Sequence, residues 1–190
     1  MKLPDDAQSR RTAEQIIARA REMKEAFGAK CSKFAGALSV ELVRQALAEA
    51  GIATSARDVF VRGVPIEVDL IIPHRGQGPL LGGMYEPQQV AVALEVKNSG
   101  SFGEATILKV RSDFERLHMV GVAYAYLTLE ERRGYRWAIS SERIGCRCFT
   151  LGWHKAATGP FEATTEWGQL LLFLENCLGG GARSAEAAKV

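Results

Sequence analysis

The sequence predicts an α/β fold in which a helix, a three-stranded antiparallel meander, a second helix and a strand returned parallel follow one another, with further elements at both ends. Three features of the chain predict it. Apolar residues recur at helical spacing in several stretches, alternating or continuous apolar runs mark strands between them, and Gly and Pro clusters punctuate the joins. At 190 residues the chain is long enough for one domain with a good core and too short for two ordinary ones. Residues 1–178 read as that domain: 1–30 a helical extension, 31–128 the core, 129–178 a closing strand and helix. Residues 179–190, rich in Gly, Ala and Ser, read as a disordered tail.

In chain order, Thr12-Ala-Glu-Gln15 is a capping-box pattern, and Ala13, Ile16, Ile17, Ala20, Met23 and Phe27 then recur at helical spacing until Gly28. The first 33 residues hold eight Lys and Arg against five Asp and Glu, so the outer face of this helix is basic. A solvated face, packed by its other side, is the preferred reading over a nucleic-acid arm. A second helix runs from about Cys31 or Lys33 to Ala50, closed by Gly51. Phe34, Ala37 and Leu38 form its first stripe, Glu41 follows at the edge of that stripe, and Leu42, Val43, Ala46, Leu47 and Ala50 form the next. Asp58–Arg62 and Pro65–Ile72, joined across Gly63-Val64, read as a hairpin. Residues 73–88 read as a loop bordering the end of that hairpin, with His74 and Arg75 able to touch a phosphate or simply to face water.

Val90 to Lys97 is the stretch around which the chain is organised. A strand this apolar is buried on both faces, so an acid and a base at its end need a reason. Side chains alternate along a strand, which puts Glu95 and Lys97 on one face with Ala91 and Ala93, and Val92, Leu94 and Val96 on the other. The hairpin strand carries Glu67, Asp69 and Ile71 on one face and Ile66, Val68, Leu70 and Ile72 on the other. If the two strands are neighbours, Asp69 and Glu95 converge. Two carboxylates held together repel unless a cation or a proton lies between them, and a hard divalent ion meets that need. An ion-paired network at a sheet end is the plain alternative.

Asp69, followed by Glu95-Val96-Lys97 at the end of a hydrophobic strand, resembles the motif of the PD-(D/E)XK nuclease superfamily, the restriction-endonuclease-like and Holliday-junction-resolvase-like nucleases. Lys33 to Gly51 is similar to the first helix of such enzymes, which also carries a Glu, here Glu41. The resemblance covers about residues 33–128, and it departs at Val68, where the family's Pro stands. It implies a restriction-endonuclease-like core (α-β-β-β-α-β, a mixed central sheet flanked by helices) with extra N- and C-terminal helices. It also implies a site in which Asp69, Glu95 and the Val96 carbonyl bind Mg²⁺, with Mn²⁺ able to substitute. Lys97 would orient the attacking water or balance charge on the phosphate, and Glu41 would extend the acidic cluster. Glu67 is a spare acid that the family pattern does not select. The implied activity is that of a Mg²⁺-dependent endodeoxyribonuclease with DNA as partner, and relatives of this kind are often homodimers. A non-catalytic nucleic-acid- or protein-binding module on the same fold is the alternative.

Beyond Lys97, Asn98 to Gly103 reads as a flexible stretch beside this site. A helix from Glu104 to about His118 turns Ile107, Val110, Phe114 and Leu117 inward, with His118 at its edge, and Gly121–Leu129 is the returning strand. Arg132, Arg133, Arg136, Arg143 and Arg147 are interleaved with Glu130, Glu131 and Glu142, which fits a basic rim or a self-paired surface. Arg147–Trp153 reads as a strand. The last helix, Thr165 to Leu178, is capped by Thr164 or Thr165 and faces the core with Trp167, Leu170, Leu171, Leu174 and Cys177. Cys31, Cys146, Cys148 and Cys177 lack the density of a disulfide scaffold. Cys146, Cys148 and His154 fall one ligand short of a zinc site, so they read as ordinary residues. With 47% hydrophobic and 24% charged residues, a net charge of +2, no membrane-length apolar run and no secretory leader, a cytoplasmic protein without membrane contact is expected.

Overall fold

A computed structural model describes residues 3–27, 32–99, 103–132, 140–155 and 161–179. Their order is α1 (Asp6–Phe27), α2 (Ser32–Glu49), β1 (Val59–Val61), β2 (Glu67–Val68), β3 (Leu70–Pro73), β4 (Met84–Tyr85), β5 (Val90–Ser99), α3 (Glu104–Met119), β6 (Ala123–Arg132), α4 (Ser141–Ile144), β7 (Arg147–Lys155), β8 (Phe161–Ala163) and α5 (Glu166–Gly179). The main sheet runs β3-β5-β6-β7-β8, with its three central strands parallel and its two outer strands antiparallel to their neighbours. Apolar residues of β5 and β6 bury both of its faces. One face packs on α1, α2 and α5 through residues such as Ile16, Leu47, Leu94, Leu127 and Leu174. The other packs on α3 and α4 through Ala93, Val110, Leu117, Tyr124 and Ile144.

The expected meander is divided between two sheets. β1 pairs with β2 antiparallel, but the chain then leaves that partnership at Asp69, and β3 joins β5 in the main sheet. Alternation therefore fails across Asp69: Val68 and Ile71 lie in one core, Leu70 and Ile72 in the other. The residues before β1 hold this break. Asp58 N–H donates to the Asp69 carbonyl (3.3 Å), Ser55 N–H to the Ile71 carbonyl (2.7 Å), and Ile71 N–H to Ser55 Oγ (2.8 Å). Asp58 is the one non-glycine residue with left-handed backbone among those described (φ 57°), a conformation that Asp tolerates better than most.

A second slip moves Ala91. The β3–β5 ladder shifts between Ile72 and Pro73, so Ala91 packs with Val92 and Leu94 rather than on the face of Glu95, where Ala93 remains. The 73–88 segment is also more ordered than a plain loop, because β4 within it pairs parallel with β1 and Pro87–Gln89 forms a 3-10 turn. Two-residue strands have no periodicity to read.

The helices follow their stripes more closely. α1 begins at Asp6 rather than near Thr12, because Asp5 and Gln8 form the capping pair: Gln8 N–H donates to Asp5 Oδ1 (2.7 Å) and Asp5 N–H to Gln8 Oε1 (3.1 Å). Thr12 lies inside the helix and donates its hydroxyl to the Gln8 carbonyl. α2 ends ahead of Gly51 (φ 77°), the left-handed residue that closes a helix. α5 buries the five core residues expected of it, while Thr164 donates its hydroxyl to the Thr150 carbonyl. β8 and the single turn of α4 were not anticipated. Gly28, Cys31, Arg133, Arg136, the middle of the Asn98–Gly103 stretch and residues 180–190 lie outside the described residues. Among those described, no helix is long and apolar enough to cross a membrane.

Candidate active site

The break at Asp69 and the end of β5 bring three side chains together. Lys97 Nζ lies 2.5 Å from Glu95 Oε1 and 3.2 Å from Asp69 Oδ2, so both acids face one ammonium group. Asp69 Oδ2 also accepts the Val96 N–H at 2.7 Å, which fixes the carboxylate against the β5 backbone. Alternation along β5 puts Glu95 and Lys97 on one face, and the turn at Asp69 swings its carboxylate toward them. The side chain of Glu95 is 14% exposed, that of Asp69 21% and that of Lys97 36%, so the acids are recessed and the ammonium reaches outward. In register, Glu95 stands beside Tyr126 and Lys97 beside Thr128 on β6.

Burial pushes the Glu95 carboxyl above its ordinary value of 4.5, and the Asp69 charge pushes it further; Lys97 opposes both. Burial works against the Lys97 ammonium, but the charges of Glu95 and Asp69 outweigh it and hold the group above the usual lysine range. Burial, then Glu95, also raises the phenol of Tyr126, which stays a neutral wall. A folded-state pKa above the unfolded value means that Glu95 stabilises the fold most when protonated. That contribution is complete below about pH 4 and disappears as pH rises through the raised value. In chelator, Glu95→Gln is therefore expected to melt higher than wild type at pH 7 by roughly 2–4 °C for each kcal/mol of relieved charge, with the difference vanishing at acid pH. Thermal melts at the two pH values check this, and a variant that melts lower at pH 7 contradicts it.

Glu41 is not joined to this trio by a hydrogen bond. Its carboxylate is gripped by Arg44 (Nε–Oε2 2.8 Å, Nη2–Oε1 2.7 Å) and by Gln45 Nε2 (3.0 Å), and the Arg44 hydrogen bond holds it below the usual carboxylate range. α2 does reach the site's edge, where Ser39 Oγ lies 3.4 Å from Asn98 Oδ1. Glu67 points away: it pairs across the small sheet with Phe60, and both are exposed. His118 stacks on Phe114 with ring centroids 5.6 Å apart. Cys148 Sγ donates to the Cys146 carbonyl (3.6 Å), and a separate side-chain hydrogen bond with Cys148, together with burial, pushes the Cys146 thiol up, away from thiolate chemistry. His154 is held instead between Glu131 (2.6 Å) and Glu166 (3.3 Å).

The donor set fits a hard cation. Mg²⁺ takes one or two protein carboxylates and fills its other positions with water and phosphate, and Asp69 and Glu95 supply two such oxygens at the place where Lys97 now supplies the positive charge. Among the described residues, no group of three or more His, Cys, Asp and Glu side chains is arranged to hold a metal. Asp58, whose backbone bonds to that of Asp69, is an acid at this edge that sequence patterning treats only as a strand start.

No protein-family model and no curated protein sequence matches the chain. Solved structures do match. The chain aligns with P. aeruginosa ATCC27853 NucC in its cAAA-bound form at a TM-score of 0.61 and 12% identity, over 97% of this chain and 93% of that one. The fold of this chain is similar to that of NucC. NucC of E. coli MS115-1, also cAAA-bound, aligns at 0.59 and 12% identity over 97% and 92%. The mixed sheet between helices seen here is consistent with the restriction-endonuclease-like core expected from the sequence. At this identity, what the NucC comparison carries is the fold.

Proposed function

We propose that the chain is a metal-dependent nuclease that hydrolyses phosphodiester bonds in DNA. The observation that supports this best is the placement of Asp69, Glu95 and Lys97 around one point at the end of β5 in a restriction-endonuclease-like core. Asp69, Glu95 and the Val96 carbonyl would hold Mg²⁺. When bound, the ion supplies Lewis-acid activation of water and phosphate. Lys97, no longer needed to balance the two carboxylates, would be able to donate to a phosphate oxygen or orient the attacking water. Glu41 would join the acidic cluster by leaving Arg44.

The two NucC neighbours hold cAAA. This chain has an open cavity of about 620 Å³ between the end of α2, the segment after β3 and the last turn of α5, lined by His74, Arg75, Gln77 and Glu175 among others. Its size suits a nucleotide ligand, and Arg75 offers a cation and His74 a ring N–H to phosphates. We infer that a cyclic oligonucleotide of this kind binds there and controls the nuclease.

One panel tests both parts: linear, branched and single-stranded DNA with Mg²⁺ or Mn²⁺, with and without cAAA, and with EDTA. The expected result is metal-dependent cleavage that EDTA stops and cAAA increases, with Arg75→Ala losing the thermal stabilisation that cAAA confers. DNA binding without cleavage under every condition would instead favour a non-catalytic module.

A further inference from the structure

We propose that Lys109, braced by the buried Asp113 on α3, contacts a DNA phosphate next to the one that is cut. This rests on the nuclease reading. Asp113 is 7% exposed and sits among the inward residues of α3 with Val110 and Leu117. A carboxylate in such a place needs a partner, and its partner is Lys109 Nζ at 2.6 Å, one helical turn away. The Lys109 side chain is nevertheless 67% exposed. One contact anchors the ammonium while the side chain stays largely open to solvent, so the charge is both held and accessible.

The location fits the role. α3 covers the face of the main sheet that carries Glu95, packing Val110 and Leu117 with Ala93, Tyr124 and Tyr126. α3 starts just past the end of β5 and must run back along the sheet to feed the parallel β6, so its second turn, which holds Lys109, lies toward the end of the sheet where Glu95 and Lys97 stand. A strand whose scissile phosphate lies at Lys97 presents further phosphates along its backbone, and a held ammonium on the adjoining helix can meet one. Such a contact adds affinity and orientation without touching the reacting atoms.

The test measures binding of the full chain to duplex DNA by fluorescence anisotropy in Ca²⁺ across a salt series, alongside steady-state cleavage in Mg²⁺. Lys109→Ala is expected to weaken binding about tenfold, lower the salt slope by about 1 and raise KM with little change in kcat. Lys109→Arg should restore most of the loss. Asp113 is a positioning residue, so Asp113→Asn should lose part of the affinity, and the double variant should be no worse than Lys109→Ala alone. A folded Lys109→Ala protein with unchanged affinity and salt slope overturns the inference while leaving the nuclease reading intact. Wild-type protein that neither binds nor cuts DNA overturns both.

Discussion

Lys97→Ala is expected to lower the rate of metal-dependent DNA cleavage by about 10²–10³-fold, the range seen when one preorganised donor to a developing negative charge is removed. The structure gives the variant a second signature. Lys97 is the positive group shared by Asp69 and Glu95, and without it the two carboxylates face each other uncompensated. In chelator the variant should melt below wild type, and added Mn²⁺ should recover more of its melting temperature than it adds to wild type. Cleavage that survives at near wild-type rate would remove Lys97 from the chemistry. A loss of cleavage without any change in the metal-dependent melting shift would confine its role to the substrate.

Gly152→Ala is expected to destabilise the fold by about 3 kcal/mol or more, at the upper end of overpacking effects. Gly152 lies in β7 where the ladder with β6 slips between Thr128 and Glu130, and there the Leu129 backbone takes up the space a side chain would need. A Cβ at position 152 would stand 2.2 Å from the Leu129 carbonyl oxygen and 3.2 Å from its carbon. Backbone cannot swing aside as a side-chain tip can, and both Leu129 and Leu151 are wholly buried. The slip must therefore be remade or the sheet must part. A fall in melting temperature of roughly 6–12 °C is expected for a chain of this size. Gly78→Ala, where an added Cβ meets no atom within 4 Å, should leave it unchanged within about 1 °C. Equal melting of the two variants would show that the sheet relaxes around position 152.

Much of this arrangement was legible in the sequence because it rests on periodicity. Glu95 and Lys97 share a face because they are two residues apart in a strand, and that survives any error in the neighbouring elements. The stripe Leu38, Leu42, Ala46 and the inward residues of α5 are legible for the same reason at helical period. What failed were places where the period is interrupted. Reading Pro65–Ile72 as one strand puts Val68 and Leu70 on one face, whereas the turn at Asp69 sends them to opposite cores. Ala91 was misplaced by a ladder slip that depends on the partner strand. The start of α1 was misread because two capping patterns stand in tandem, and the acid–amide pair at Asp5 and Gln8 is the one that forms. The grip of Arg44 on Glu41 and the Lys109–Asp113 brace follow helical spacing, but spacing alone does not say that Asp113 is buried.

The break at Asp69 has a mechanical meaning. One acid of the pair stands at the seam between two sheets and the other grows from the centre of the larger one, and the Val96 N–H ties the first to the strand that carries the second. The small sheet shares one apolar core with the face of the larger sheet that carries Glu95, so Val59, Val61 and Val68 hold the seam in place. The seat proposed for the ion is thereby set by the packing beneath it and not by a loop.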